Sequence, residues 1–138
     1  VGALTTQATG VHKDQSSFWL APFESVEYKY TLSEGQSMVF EWRALSDMPA
    51  DVIFEMHSEI DGDPDQSVTF ELSRGDAQRG TFVAPFSGVH GWYWENRGVG
   101  EVEVMLQATG FFTHGTTYGP SGAFTKVIGK GAEPKTAE

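Results

Sequence analysis

Apolar and polar residues alternate with a period of two through most of the middle of this chain. In VEYKYTL, Val26, Tyr28, Tyr30 and Leu32 fall on one side, and Glu27, Lys29 and Thr31 on the other. That spacing is the mark of a strand buried on one face. SMVFEWRA repeats it with Met38, Phe40 and Trp42; DVIFEMHSEI repeats it with Val52, Phe54 and Met56; SVTFELS does so with Val68, Phe70 and Leu72. GTFVAPF predicts a short strand stopped by Pro85. GVHGWYWEN and EVEVMLQATGFF complete the series, with a turn at RGVG between them. The Gly-, Ser- and Asp-rich pieces LSEGQS, DGDPDQS and SRGDAQRG read as turns and loops. No window sustains a helical period. Seven to eight strands, spaced by turn signals every roughly 8–12 residues, predict an all-β fold: an antiparallel β-sandwich or jelly roll.

The ends carry little apolar content. Residues 1–16 read as an extended N-terminal arm, 17–128 as the sandwich, and 129–138 as a flexible C-terminal tail. A chain of 138 residues suits one domain with a real core. The balance of 9 basic to 19 acidic residues, a formal charge of -10, argues against nucleic acid and against electrostatic binding to anionic lipid. With no Cys, disulfides and thiolate metal sites are excluded. No apolar run approaches the ~20 residues of a membrane span. The chain starts at Val1, which suggests a processed piece of something longer. Membrane association is then expected only through a segment absent from this chain.

Three constellations could carry chemistry. Glu55, His57 and Glu59 share one face of a strand, and nitrogen with carboxylate donors suits zinc, copper, manganese or iron. His90 could supply a second imidazole from a neighbouring strand, with His114 as a third candidate and His12 the remotest. The same face could equally be a solvated strand surface carrying one His. Asp61, Asp63 and Asp65 have the D-x-D-x-D spacing of a calcium loop. That match fails at Gln66, where Gly belongs, and at Leu72, where Glu belongs; a tight Asp/Gly/Pro turn explains the run as well. Trp92 and Trp94, with Asn96, lie on one face of HGWYWEN, a stacking platform for sugar rings. On a central strand the same residues would instead be core. No Cys nucleophile and no G-x-S-x-G elbow is present, so no enzyme is expected.

The runs EYKYTLSEGQSMVFEWRA, FEMHSEIDG and GTFVAPFSGVHGWYWENRGVGEVEVMLQATGFF together resemble a family of bacterial membrane-anchored extracytoplasmic proteins. The resemblance covers residues 26–112 and is most specific at HGWYWEN. It implies a sandwich of the Golgi-dynamics type, outside the cytoplasmic membrane of a bacterium. His57, Glu59, His90, Trp92, Trp94 and Asn96 match the polar and aromatic positions of the family pattern; the Asp-rich loop departs from it. The expected function is a non-catalytic binding or scaffold domain with a protein partner at the cell envelope, an accessory subunit of a membrane complex. Metal binding through His57 and His90 with Glu55 or Glu59 is the first alternative, and glycan binding through Trp92 and Trp94 the second. The only cofactor the sequence offers is a divalent metal: zinc, copper or calcium.

Overall fold

The computed structural model describes residues 2–61 and 63–128. Among them ten strands run in chain order: β1 (His12–Leu20), β2 (Ser25–Leu32), β3 (Ser37–Leu45), β4 (Val52–Ile60), β5 (Asp63–Arg74), β6 (Ala77–Val83), β7 (Gly88–Asn96), β8 (Val102–Gly110), β9 (His114–Gly119) and β10 (Gly122–Val127). They form two antiparallel sheets, a smaller one ordered β1-β8-β3-β6 and a larger one ordered β10-β9-β2-β7-β4-β5. Strands β1 to β8 alternate between the sheets except at the β4–β5 hairpin, which stays in the larger one, and this is the wiring of a jelly roll. The hairpin β9–β10 widens the larger sheet beyond β2.

The fold class agrees with the alternating pattern, but the strand count is higher. β1 takes up His12 to Ser16, which the sequence suggested were part of an arm. Its inward positions include Asp14 and Ser16, so the apolar alternation that marks a strand was missing. β9 is short and carries Gly, Thr and His, and β10 is exposed along its whole length, so neither shows an apolar face. The Asp-rich loop is also shorter than its composition suggested. β4 ends at Ile60 and β5 begins at Asp63, with Ile60 and Asp63 paired. An Asp-Gly step between two strands is a strong hairpin signal. The expected tail, 129–138, lies outside the described residues.

The core is aromatic. Trp42, Trp92, Trp94, Tyr28, Tyr30 and Phe112 are fully buried. Each such ring removes roughly 150–250 Å² from water. Trp92 stacks on Trp94 at 5.8 Å, Trp42 meets Trp94 edge-on at 5.8 Å, and Phe40 meets Trp92 at 4.9 Å. One side-chain oxygen, Gln78 Oε1 on β6, accepts from both Trp42 Nε1 (2.9 Å) and Trp92 Nε1 (3.2 Å). This lets two indoles be buried without stranding their N–H groups.

A second polar knot joins the sheets along their open side. Asp14 Oδ2 on β1 accepts from the hydroxyls of Tyr28 and Tyr30, each at 2.7 Å, while Lys126 of β10 reaches Oδ1 at 2.8 Å. Burial works to raise the Asp14 pKa, but the hydrogen bonds from Lys126, Tyr30 and Tyr28 outweigh it and hold the carboxyl below its ordinary range.

Candidate functional site

The outer face of the larger sheet holds the one group of potential metal ligands found among the described residues. Lys29 of β2 pairs with Gly91 of β7, and Gly91 with His57 of β4. Gly91 sits tight against β2: a Cβ there would lie 2.1 Å from the Tyr28 carbonyl oxygen. With no side chain between them, Lys29 and His57 lean toward each other over the middle strand. Glu27, Glu55 and Glu59 occupy the adjoining rows.

The geometry of this cluster is that of a filled cation site. Glu27, His57 and Glu59 each offer one ligand atom, all within 4.8 Å of one another. His57 Nε2 lies 3.8 Å from Glu27 Oε1 and 3.5 Å from Glu59 Oε2, and Nδ1 lies 3.0 Å from Glu55 Oε1. The Lys29 ammonium donates to the same two oxygens, Glu27 Oε1 and Glu59 Oε2. It also rests 4.6 Å from the Tyr118 ring centroid. Its side chain is 1% exposed. The ammonium therefore supplies the positive charge that two carboxylates would otherwise seek from a metal, and a divalent ion would have to displace it. Glu27 was not among the ligands suggested by the sequence. It enters because β2 lies two strands from β4 with glycine between them.

The proposed pairing of His57 with His90 does not form. Ser58 is the β4 partner of His90, so His57 is one position out of step and its side chain lies on the opposite face of the sheet. His90 is fully buried. Its Nδ1 is 2.6 Å from Ser58 Oγ, and the Phe82 and Phe86 rings lie 5.4 and 5.6 Å away. Nε2 has no hydrogen-bond partner among the described residues. Burial lowers the His90 pKa; the nearby Leu32 and Phe86 carbonyls and the Asp61 charge pull the other way without reversing it.

The sugar-platform reading is also corrected. Trp92 and Trp94 have no exposed surface and are walls of the core. Asn96, likewise buried, donates through Nδ2 to the Leu20 and Gly100 carbonyls at 2.9 Å and accepts from Gly98 N at 2.8 Å. It is a turn brace, not a ligand-binding group. Asp61 and Asp65 are exposed and Asp63 is half-buried. Among the described residues the three do not gather into a metal-binding group. His12 Nδ1 lies 2.9 Å from the Phe112 carbonyl, far along the chain, and His114 Nδ1 lies 2.8 Å from the neighbouring Thr113 Oγ1.

Sequence reasoning missed a different place, the end of the sandwich where the β1–β2, β3–β4 and β7–β8 connections meet. In Ala21-Pro22-Phe23-Glu24 the Glu24 amide donates to the Ala21 carbonyl at 3.0 Å, and Phe23 has φ 69°. Pro followed by a residue at positive φ is the geometry of a type II turn, where glycine is favoured. A Phe there is strained by about 1–2 kcal/mol. Its ring is 75% exposed, beside Trp19 at 61%. Trp19 separates two hollows. One, of about 750 Å³, is bounded by Trp19, Phe23, Glu24, Glu27, Tyr93 and Tyr118. The other, of about 510 Å³, is bounded by Trp19, Leu45, Asp47, Met48, Glu101 and Glu103. Arg74 and Arg97 at this end are tied to Asp51 and Glu95, so its free charge is negative. The clue in the sequence was FWLAPFES, two aromatics and a Pro outside any alternating run.

No protein-family model matches the chain, and nothing among curated proteins matches it. Among solved structures the likenesses are distant. A periplasmic inhibitor of g-type lysozyme from Aeromonas hydrophila is similar, with TM-score 0.49 and 18% identity over 77% of this chain and 92% of that one. A sugar phosphate isomerase of the cupin superfamily from Silicibacter pomeroyi has TM-score 0.39 and 12% identity over 91% of this chain and 73% of that one. At these TM-scores and identities, neither likeness carries anything over to this chain.

Proposed function

We propose that this domain is a non-catalytic binding module whose partner is a protein presenting basic side chains around an apolar ridge. The observation that carries this reading is Phe23, an exposed ring held at positive φ beside Trp19. A fold keeps strain where the strained group is used. Exposed aromatics over an acidic rim are the chemistry of a protein-binding hot spot for Lys- and Arg-bearing surfaces. The non-catalytic part of the proposal is supported by the state of the buried polar groups. Lys29 is bonded to two carboxylates, and His90 is enclosed by Phe rings.

The resemblance of residues 26–112 to bacterial extracytoplasmic proteins supports a site of action at the cell envelope, with this domain an accessory subunit of a membrane complex. Site-specific photo-crosslinking tests the reading. A benzoyl-phenylalanine replacing Phe23 should give one discrete protein adduct in the envelope of the source cells. The same group replacing Leu72, an exposed residue on β5, should give none. Equal labelling from the two positions, or none from either, would sink it. A second reading, a divalent-metal site on Glu27, His57 and Glu59, is favoured by the grouping of those three ligands and opposed by Lys29.

A further inference from the structure

The basic residues of this acidic chain are segregated. Among the described residues, Lys29, Arg74, Arg97 and Lys126 are each bonded to carboxylates. The other three are Lys13, Arg43 and Arg79. Lys13 and Arg43 make no ion pair among the described residues, and Arg79 comes only to 3.9 Å from Glu41. All three stand on the outer face of the smaller sheet, in three consecutive rows across it. The rows run Lys13–Thr109–Val39–Thr81, Gln15–Gln107–Glu41–Arg79 and Ser17–Met105–Arg43–Ala77. The face is not flat. An open trough of about 900 Å³ runs past Lys13, Gln15, Glu41, Arg79 and Gln107, and adjoins one of about 480 Å³ reaching Arg43 and Met105.

We propose that this trough binds an acidic polysaccharide, a glycan chain carrying carboxylates at intervals among its hydroxyls. Strand spacing and rise put Arg43 and Arg79 about 8 Å apart at the backbone, with Lys13 about 16 Å from either. Sparse anionic groups on a long ligand fit that spacing. Duplex nucleic acid does not, with one charge per about 1.7 Å and an overall chain of like sign. Single-stranded nucleic acid needs stacking rings, and the three rows hold none. A flat anionic membrane cannot enter a trough. Between the cations, Gln15, Gln107, Thr81 and Thr109 offer donors and acceptors together, the complement of sugar hydroxyls. Gln15 Nε2 already donates to Gln107 Oε1 at 3.2 Å, which pre-orients the pair. The trough crosses the face of the smaller sheet from edge strand β1 to edge strand β6, whereas a strand-like acidic peptide pairs along an edge and not across a face.

The test is calorimetric titration of the whole chain with oligogalacturonate, neutral dextran oligomers and poly-L-glutamate. Oligogalacturonate should bind saturably at about 20 mM salt and weaken by about tenfold or more at about 200 mM. Dextran should not bind. Lys13→Glu/Arg43→Glu should lose about tenfold or more, with its circular dichroism unchanged because both residues are exposed. Absence of saturable oligogalacturonate binding overturns the proposal. So does poly-L-glutamate binding as tightly, which would make the occupant a peptide, or a double variant that binds like the parent.

Discussion

Phe23 gives the clearest test of whether strain is stored at the loop end. At an ordinary exposed position, glycine is less stable than alanine by roughly 0.5–1 kcal/mol, because it has more chain entropy to lose. At φ 69° the order should invert. Alanine retains the left-handed penalty of about 1–2 kcal/mol, and glycine does not. The difference leaves Phe23→Gly more stable than Phe23→Ala by about 1 kcal/mol. Losing the ring itself costs little, since it is 75% exposed and forfeits only about 0.5 kcal/mol of burial. Phe23→Gly should therefore unfold within about 0.5 kcal/mol of the parent. Urea unfolding followed by the fluorescence of the buried Trp42, Trp92 and Trp94 measures all three proteins on one scale. If Phe23→Ala equals or exceeds Phe23→Gly in midpoint at the same slope, the turn is not strained and Phe23 needs no functional explanation.

Lys29→Met should cost about 1.5–3 kcal/mol, the value of charge-assisted hydrogen bonds, and should create a metal site that the parent lacks. Zinc at about 100 times its dissociation constant would then restore about 2.7 kcal/mol to the variant and nothing to the parent in thermal melts; stoichiometric zinc in the parent would contradict this. For His90 the sign follows from its lowered pKa: the unfolded chain takes up the proton first, so stability falls as pH drops below 6.5 toward the lower folded value. The slope in that window is at most about 1.4 kcal/mol per pH unit, and urea midpoints of His90→Gln should show less of it; identical pH profiles would refute the assignment. Asp14→Asn should cost about 1.5–3 kcal/mol at neutral pH. Because the folded Asp14 pKa is held down, that advantage of the parent is present above 3.8 and lost as pH falls through the lower folded value; an acid melt in which the gap persists would show that the charge is not what matters.

The alternating strands were legible because a half-buried strand writes its burial directly into a period of two. Val52, Phe54 and Met56 face the core as the run DVIFEM suggests, and Trp92 and Trp94 do the same from HGWYWEN. β1 was hidden because its inward Asp14 is satisfied by tyrosines and a lysine contributed from far along the chain. No local pattern announces that. The metal reading failed in one half for the same reason. His57 and His90 were each placed on a strand, but the pairing register decides whether two histidines share a face, and register is not written in either strand alone. Lys29 looked like an ordinary solvent-facing residue. Only the order β2-β7-β4, with Gly91 between, makes it the buried cation of a carboxylate cluster.

The central claim is that the Trp19–Phe23 end is a protein-binding surface. It is tested most directly with the protein captured by crosslinking at position 23, purified and titrated against this domain by calorimetry. Phe23→Gly, which should leave the fold intact, is predicted to weaken binding by about 30-fold, the roughly 2 kcal/mol of a hot-spot residue. Trp19→Ser should do the same, and added salt should weaken the parent complex further. A Phe23→Gly domain that binds this partner as tightly as the parent would contradict the account.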